Sequence, residues 1–199
     1  MGTLSEPRAV KPFFTLLSAR EDAHTAAIGV IVSIFGKAEL ITRPHPWDYS
    51  PAYTEELGPR IMRRFLVLSE LADPTYLSDW KLLTVEMEKL FGRDGKRAVN
   101  IDPGYITGSN LVLASTKSYA NRIYLRDGVY ADFTLFYDGR AFCAHKLTLP
   151  DYRTRAAIRF FGEQRKSYLR QLSGMTAVAK SNAFQKQVQQ PICLNGNVA

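Results

Sequence analysis

The stretch from Arg97 to Arg140, RAVNIDPGYITGSNLVLASTKSYANRIYLRDGVYADFTLFYDGR, constrains this chain more than any other part of it. Short runs rich in Val, Ile, Leu, Tyr and Phe alternate with Gly, Asp, Asn and Ser, the pattern of successive β-strands joined by tight turns. Arg126-Asp127-Gly128 and Asp138-Gly139 read as hairpin turns, because glycine takes up positive φ at little steric cost. Strands joined this way lie antiparallel, which favours an α+β fold over a doubly wound parallel sheet. The same stretch keeps Asn100, Asp102, Tyr105, Lys117, Asn121, Arg122, Tyr124 and Asp132 in or beside its apolar runs. Asp102-Pro103-Gly104 reads as an abrupt strand end that leaves a carboxylate at the sheet edge, where scaffolds often carry their sites.

The segments on either side complete the element order. Lys11 to Ser18 (KPFFTLLS) is a strand, and Ser18 with Glu21 forms a capping box for a helix running to Phe35, with Ile28, Val32 and Phe35 on one stripe and Gly36 as its stop. Glu39 to Arg43 is a short strand, followed by a proline-rich loop, PHPWDYSPAYTEELGPR, and a strand at Ile61 to Leu68. Asp73-Pro74 opens a helix from Thr75 to Phe91, with Leu77, Trp80, Val85, Met87 and Leu90 as its apolar faces. A last amphipathic helix spans Thr154 to Leu172, with Ala157, Phe161, Tyr168 and Leu172 inward. The expectation is a ferredoxin-like βαββαβ core extended by antiparallel hairpins, with a C-terminal amphipathic helix: one domain over residues 1–174 and a flexible polar tail over 175–199.

Composition removes several classes. The longest apolar run, Ala26 to Phe35, is far short of a membrane span, and MGTLSEPRAVKPFF lacks the basic-then-apolar order of a secretion signal, so a cytoplasmic chain without a membrane partner is expected. Cys143 and Cys193 lack metal-ligand spacing and read as reduced thiols. Gly29 to Ala38 ends in Gly-Lys, but six residues separate its glycines and Ala38 cannot hold magnesium, so it is a helix stop and not a phosphate loop. There is no GxSxG, HExxH or paired-Cys spacing, and His24, His45 and His145 stand alone. No metal site is assigned, although Asp48, Glu55, Glu56, Asp102, Asp132 and Asp151 are oxygen ligands if folding brings them together.

What remains is a polar constellation. Lys117, Arg122 and Arg153 suit a phosphate, since a guanidinium can fork two oxygens, and Asn100, Asp102, Tyr105, Tyr124 and Asp151 would surround it. The leading expectation is therefore binding of a small phosphorylated ligand such as a nucleotide, with magnesium entering only alongside that ligand, and with Asp102 or Asp151 as the base if the ligand is turned over. The rival comes from charge. Residues 1–151 carry 18 Lys+Arg and 18 Asp+Glu, whereas residues 152–173 carry six cations against Glu163 alone. Arg155, Arg159, Lys166 and Arg170 fall near one helical face, a stripe that could track nucleic acid through residues 152–199.

DPGYI, LVLASTK, RIYLRDGVYADFTL and PDYR, together with KPFFTLLS, YTEELG and RRFLVLSE, resemble the segments of an uncharacterised bacterial family, a domain of unknown function. Its members share VNLDPGYL-like, LVLATTK, HRIYL and YPDYR segments, and the resemblance covers roughly residues 7–173. Some members are labelled GTP-binding proteins, yet this chain has no N-K-x-D guanine-reading motif. The family's His before RIYL is Asn121 here, and HKLTL before PDYR lacks the usual Trp. The resemblance implies a single cytoplasmic bacterial domain.

Overall fold

The computed structural model describes residues 3–92 and 95–174. The elements run β1 (Lys11–Ser18), α1 (Glu21–Phe35), β2 (Ala38–Ile41), β3 (His45–Pro46), α2 (Pro51–Leu57), β4 (Met62–Leu68), a 3-10 turn, α3 (Leu77–Leu90), β5 (Asn100–Ile106), β6 (Asn110–Ser115), β7 (Arg122–Arg126), β8 (Val129–Tyr137), β9 (Phe142–Ala144), a second 3-10 turn (Pro150–Arg153) and α4 (Arg155–Gly174). All strands pair antiparallel in one sheet ordered β2-β4-β1-β5-β6-β8-β7, with β3 on β4 and β9 on β8. The run β5-β1-β4-β2 is the ferredoxin-like order, with α1 and α3 as its two helices. The hairpins extend it beyond β5, as the turn residues imply; Asp127 and Gly128 both have positive φ at the tip of β7–β8.

Strand alternation divides the core in two. Phe14 and Leu16 of β1 join Ala27, Ile31, Phe35, Trp80 and Met87 on the face covered by α1 and α3. Phe13 looks the other way and packs with Phe65, Leu111, Leu135, Tyr152 and Phe161 beneath α4. Rings dominate that second core: Phe161 lies 5.0 Å from Phe13, 5.1 Å from Phe65 and 5.7 Å from Tyr152 between centroids. A third, small cluster of Leu17, Trp47, Leu57 and Ile61 seats α2 over one end of the sheet.

Four expectations need correction. Ser18 does not cap α1: its hydroxyl donates to Ala98 O and accepts from Arg20 N, and Arg20 stands at the cap position without a side-chain capping bond. The buried stripe of α1 is centred on Ala27, Ile31 and Phe35, with Ile28 and Val32 at its flanks. The proline-rich loop contains α2, which Ser50-Pro51 opens and Gly58, at φ 99°, closes. Most consequential, β5 runs straight through Asp102-Pro103-Gly104. Pro103 is tolerated because β5 meets β6 only from Gly104 onward, so its first half behaves as an edge that needs no N–H there. Gly104 is required by packing: a Cβ would fall 2.5 Å from Val112 O and 2.8 Å from the Phe13 ring.

Candidate functional site

Because β5 and β6 separate beyond Gly104, the sheet contains a slot, and α3 plugs it from behind. Lys81 and Glu88 lie two turns apart on the buried stripe of α3. Lys81 Nζ donates to Ile101 O at 3.0 Å, and Glu88 Oε1 accepts from Ile101 N at 2.6 Å. These are partners that a neighbouring strand would otherwise supply. The charges continue as a closed network. Lys81 pairs with Asp102 at 2.8 Å and lies 3.7 Å from Glu88. Arg97 donates to Glu88 and to Asn100 Oδ1, both at 2.8 Å, and forks Glu56 at 2.5 and 2.7 Å; Asn100 then donates to Asp102 at 2.8 Å.

The network sets protonation. Burial alone would raise the Asp102 carboxyl, but the Lys81 ammonium, aided by Asn100 and Arg97, outweighs it and holds Asp102 below its ordinary value. Glu88 is shifted the other way: burial raises it, and Lys81 and Arg97 only partly compensate. Asp102 is therefore an ionised carboxylate whose side chain keeps 29 % of its surface exposed.

In front of the slot lies a cavity of about 760 Å³. Its floor is the half of the sheet face that α4 leaves uncovered: Thr15 and Leu17 of β1, Asn100 and Asp102 of β5, Leu113 of β6 and Asp132 of β8. One wall is Trp47, Tyr49 and Tyr53 with α2, a second is the loop Ser115–Tyr119 with Arg122, and a third is Lys146–Arg153. Trp47 is fixed by an indole N–H bond to Asp151 at 2.9 Å and by Tyr53, whose ring stands edge-on at 5.3 Å. Burial pushes the Tyr53 phenol up, so it remains neutral.

Six of the eight residues of the expected phosphate-binding constellation line this cavity: Asn100, Asp102, Lys117, Arg122, Asp151 and Arg153. Lys117 and Arg122 share one face, since cross-strand pairing aligns Phe13, Gly104, Leu113, Asp132 and Arg122 in a row, and Arg122 donates to Asp132 and to Lys117 O, both at 2.8 Å. Tyr105 does not belong: it pairs across from Val112 and packs into the core under α1 and α3. Tyr124 is also outside the lining; it is exposed at the β7–β8 hairpin with its ring 5.3 Å from Tyr130. Asp151 reaches the wall but is committed elsewhere, buried in an ion pair with Arg63 at 2.5 Å. Arg153 is spent on the backbone carbonyls of Thr148 and Lys146, bracing the third wall. Lys117 has no carboxylate within ion-pair distance among the described residues, and its ammonium sits 5.8 Å from the Tyr53 ring.

Arg63, Lys81, Glu88 and Arg97 escaped the sequence reading. Lys81 and Glu88 had a signal, since both interrupt the apolar stripe of α3. Among the described residues no three His, Cys, Asp or Glu side chains converge as a metal site, and no helix is long and apolar enough to cross a membrane. No curated protein and no solved structure matches the chain. Residues 8–168, from just before β1 into α4, match the family described as Domain of unknown function (DUF4416), and the chain belongs to that family.

Proposed function

We propose that the cavity binds a small phosphorylated ligand of nucleotide size. The observation that carries this reading is the pairing of opposites across one polar space: Lys117, without an ion pair among the described residues, and the braced Arg122 on one wall, and the ionised Asp102 on the floor. A phosphate would accept from the ammonium and from the guanidinium N–H groups that Asp132 does not use. Asp102 retains lone pairs beyond those used by Lys81 and Asn100, and would accept from ligand hydroxyl or amino groups. The aromatic wall of Trp47, Tyr49 and Tyr53 would face the ligand's apolar or ring portion. A volume of about 760 Å³ lies within the range of small-molecule sites, about 300–1,000 Å³.

The cations Lys81 and Arg122 already pair with the floor carboxylates Asp102 and Asp132, so any magnesium would arrive with the ligand's phosphates and not on a preformed cluster. For turnover the candidate base is Asp102; Asp151, locked to Arg63 and Trp47, serves the wall. We place the protein in the cytoplasm on the same reading. The test is a thermal-shift panel of nucleotides, sugar phosphates and inorganic phosphate, with and without magnesium. A saturable rise in Tm for one class is expected, lost in Lys117→Gln and Arg122→Gln. No saturable rise with any phosphorylated compound at millimolar concentration would sink it.

A further inference from the structure

The helix α4 covers one core with one face and presents a row of cations on the other. Of the six basic residues in residues 152–173, two are engaged by backbone carbonyls: Arg153 by Thr148 O and Lys146 O at the cavity wall, and Arg165 by Gly108 O with its guanidinium 3.4 Å from the centre of the Tyr137 ring. The other four, Arg155, Arg159, Lys166 and Arg170, are all exposed, opposite the buried Ala157, Phe161, Gln164 and Tyr168. Arg155, Arg159 and Arg170 make no ion pair and donate no side-chain hydrogen bond among the described residues; Lys166 pairs only with the exposed Glu163. Intrahelical electrostatics do not explain the row. A helix N-terminus favours acidic side chains, yet the first turn of α4 has none and begins with Arg155.

We propose that this outer face of α4 docks the phosphodiester backbone of a nucleic acid, as a surface separate from the cavity. From Arg155 to Arg170 the row extends about 22 Å at 1.5 Å per residue. Along that length one strand of a duplex presents about six phosphates, so four cations can each meet one. The face exposes no aromatic anchor of the kind that dominates many protein interfaces, and its one large exposed apolar side chain is Leu169. Backbone binding requires no such anchor, and a membrane surface would need an apolar wedge that this face lacks.

The experiment measures fluorescence anisotropy of random-sequence RNA and DNA oligonucleotides, single- and double-stranded, with the full chain over a salt series. Four contacts predict a slope of log K against log salt of about −3 for single strands and about −3.6 for duplex. Arg155→Gln/Arg159→Gln/Arg170→Gln should weaken binding at least tenfold at low salt, while Lys89→Gln, on the exposed side of α3 across the sheet, leaves it unchanged. Four outcomes overturn the proposal: no binding at low salt, loss in Lys180→Gln/Lys186→Gln without loss in the α4 variant, equal competition by polyglutamate, which would assign the face to an acidic polypeptide, or loss in Lys117→Gln, which would move the contact to the cavity.

Discussion

Two halves of one sheet face are built from the same strands and have opposite chemistry. Beneath α4 the face is Phe13, Gly104, Phe65 and Leu135; a short way along the same strands it becomes Thr15, Asp102, Arg63 and Asp132. Two residues along β1 separate Phe13 from Thr15, and two along β5 separate Gly104 from Asp102. Alternation, with the register shift of β8 between Leu135 and Phe133, places all of them on one side, but what covers them differs, because α4 starts only at Arg155. Tyr152 marks the border: its ring lies 5.7 Å from Phe161, while its hydroxyl shares a 2.8 Å hydrogen bond with Thr15 on the cavity floor. The apolar half holds the fold together, and the polar half is held together by the fold.

The most severe way to break that contrast is Phe161→Ala, which empties the ring cluster of a side chain with no exposed surface. A loss of about 3–5 kcal/mol is expected in urea unfolding. A cost below 1 kcal/mol would mean that α4 does not stabilise the sheet as described.

Lys81→Met tests the other half and should cost about 3 kcal/mol at neutral pH, since it strips the ion-pair partner from Asp102 and one of two cations from Glu88. Its signature is pH dependence. In the native protein, Asp102 contributes stability above its unfolded value that is lost as pH falls through its lower folded value. Glu88 acts oppositely: its contribution is present below its unfolded value and is lost as pH rises through its raised folded one. Without Lys81, burial dominates both carboxyls, so the penalty should shrink as pH drops from neutral toward the ordinary carboxylate range. An equal difference in urea midpoint from the native protein at both pH values would refute the network.

Tyr152→Phe should cost about 1–2 kcal/mol by leaving the Thr15 hydroxyl without its partner, with packing on Phe161 retained. Lys117→Gln should shift stability by no more than about 0.5 kcal/mol, as an exposed side chain without an ion pair, while abolishing ligand-induced stabilisation. A large stability loss there would move Lys117 from the binding half to the structural one.

The fold was largely legible because its elements announce themselves locally. KPFFTLLS, VYADFTLFY and the Arg126-Asp127-Gly128 turn lie where their patterns put them. Lys117, Arg122, Asn100 and Asp102 were recognisable as polar residues in apolar surroundings. Their supports were not, because they arise from long-range meetings: Lys81 with Asp102, Arg97 with Glu56, Arg63 with Asp151. Asp102-Pro103-Gly104 misled for a physical reason. Its turn-like composition serves a strand whose neighbour departs, a circumstance that no local pattern reports. Tyr105 shared the neighbourhood of the site residues in sequence, but the two-residue period of β5 sends it to the opposite face from Asp102.

The slot between β5 and β6 also bears on β-addition by another chain. A half-strand without a neighbour is a template on which another chain's strand can grow. Here that template is closed from within, as the Ile101 amide and carbonyl are taken by a carboxylate and an ammonium from α3. An incoming segment would have to displace both buried charged groups from the backbone partners they now hold, an electrostatic barrier that an apolar plug would not raise. The opening that gives the cavity its floor is thus sealed against β-addition by the residues that fix its charge.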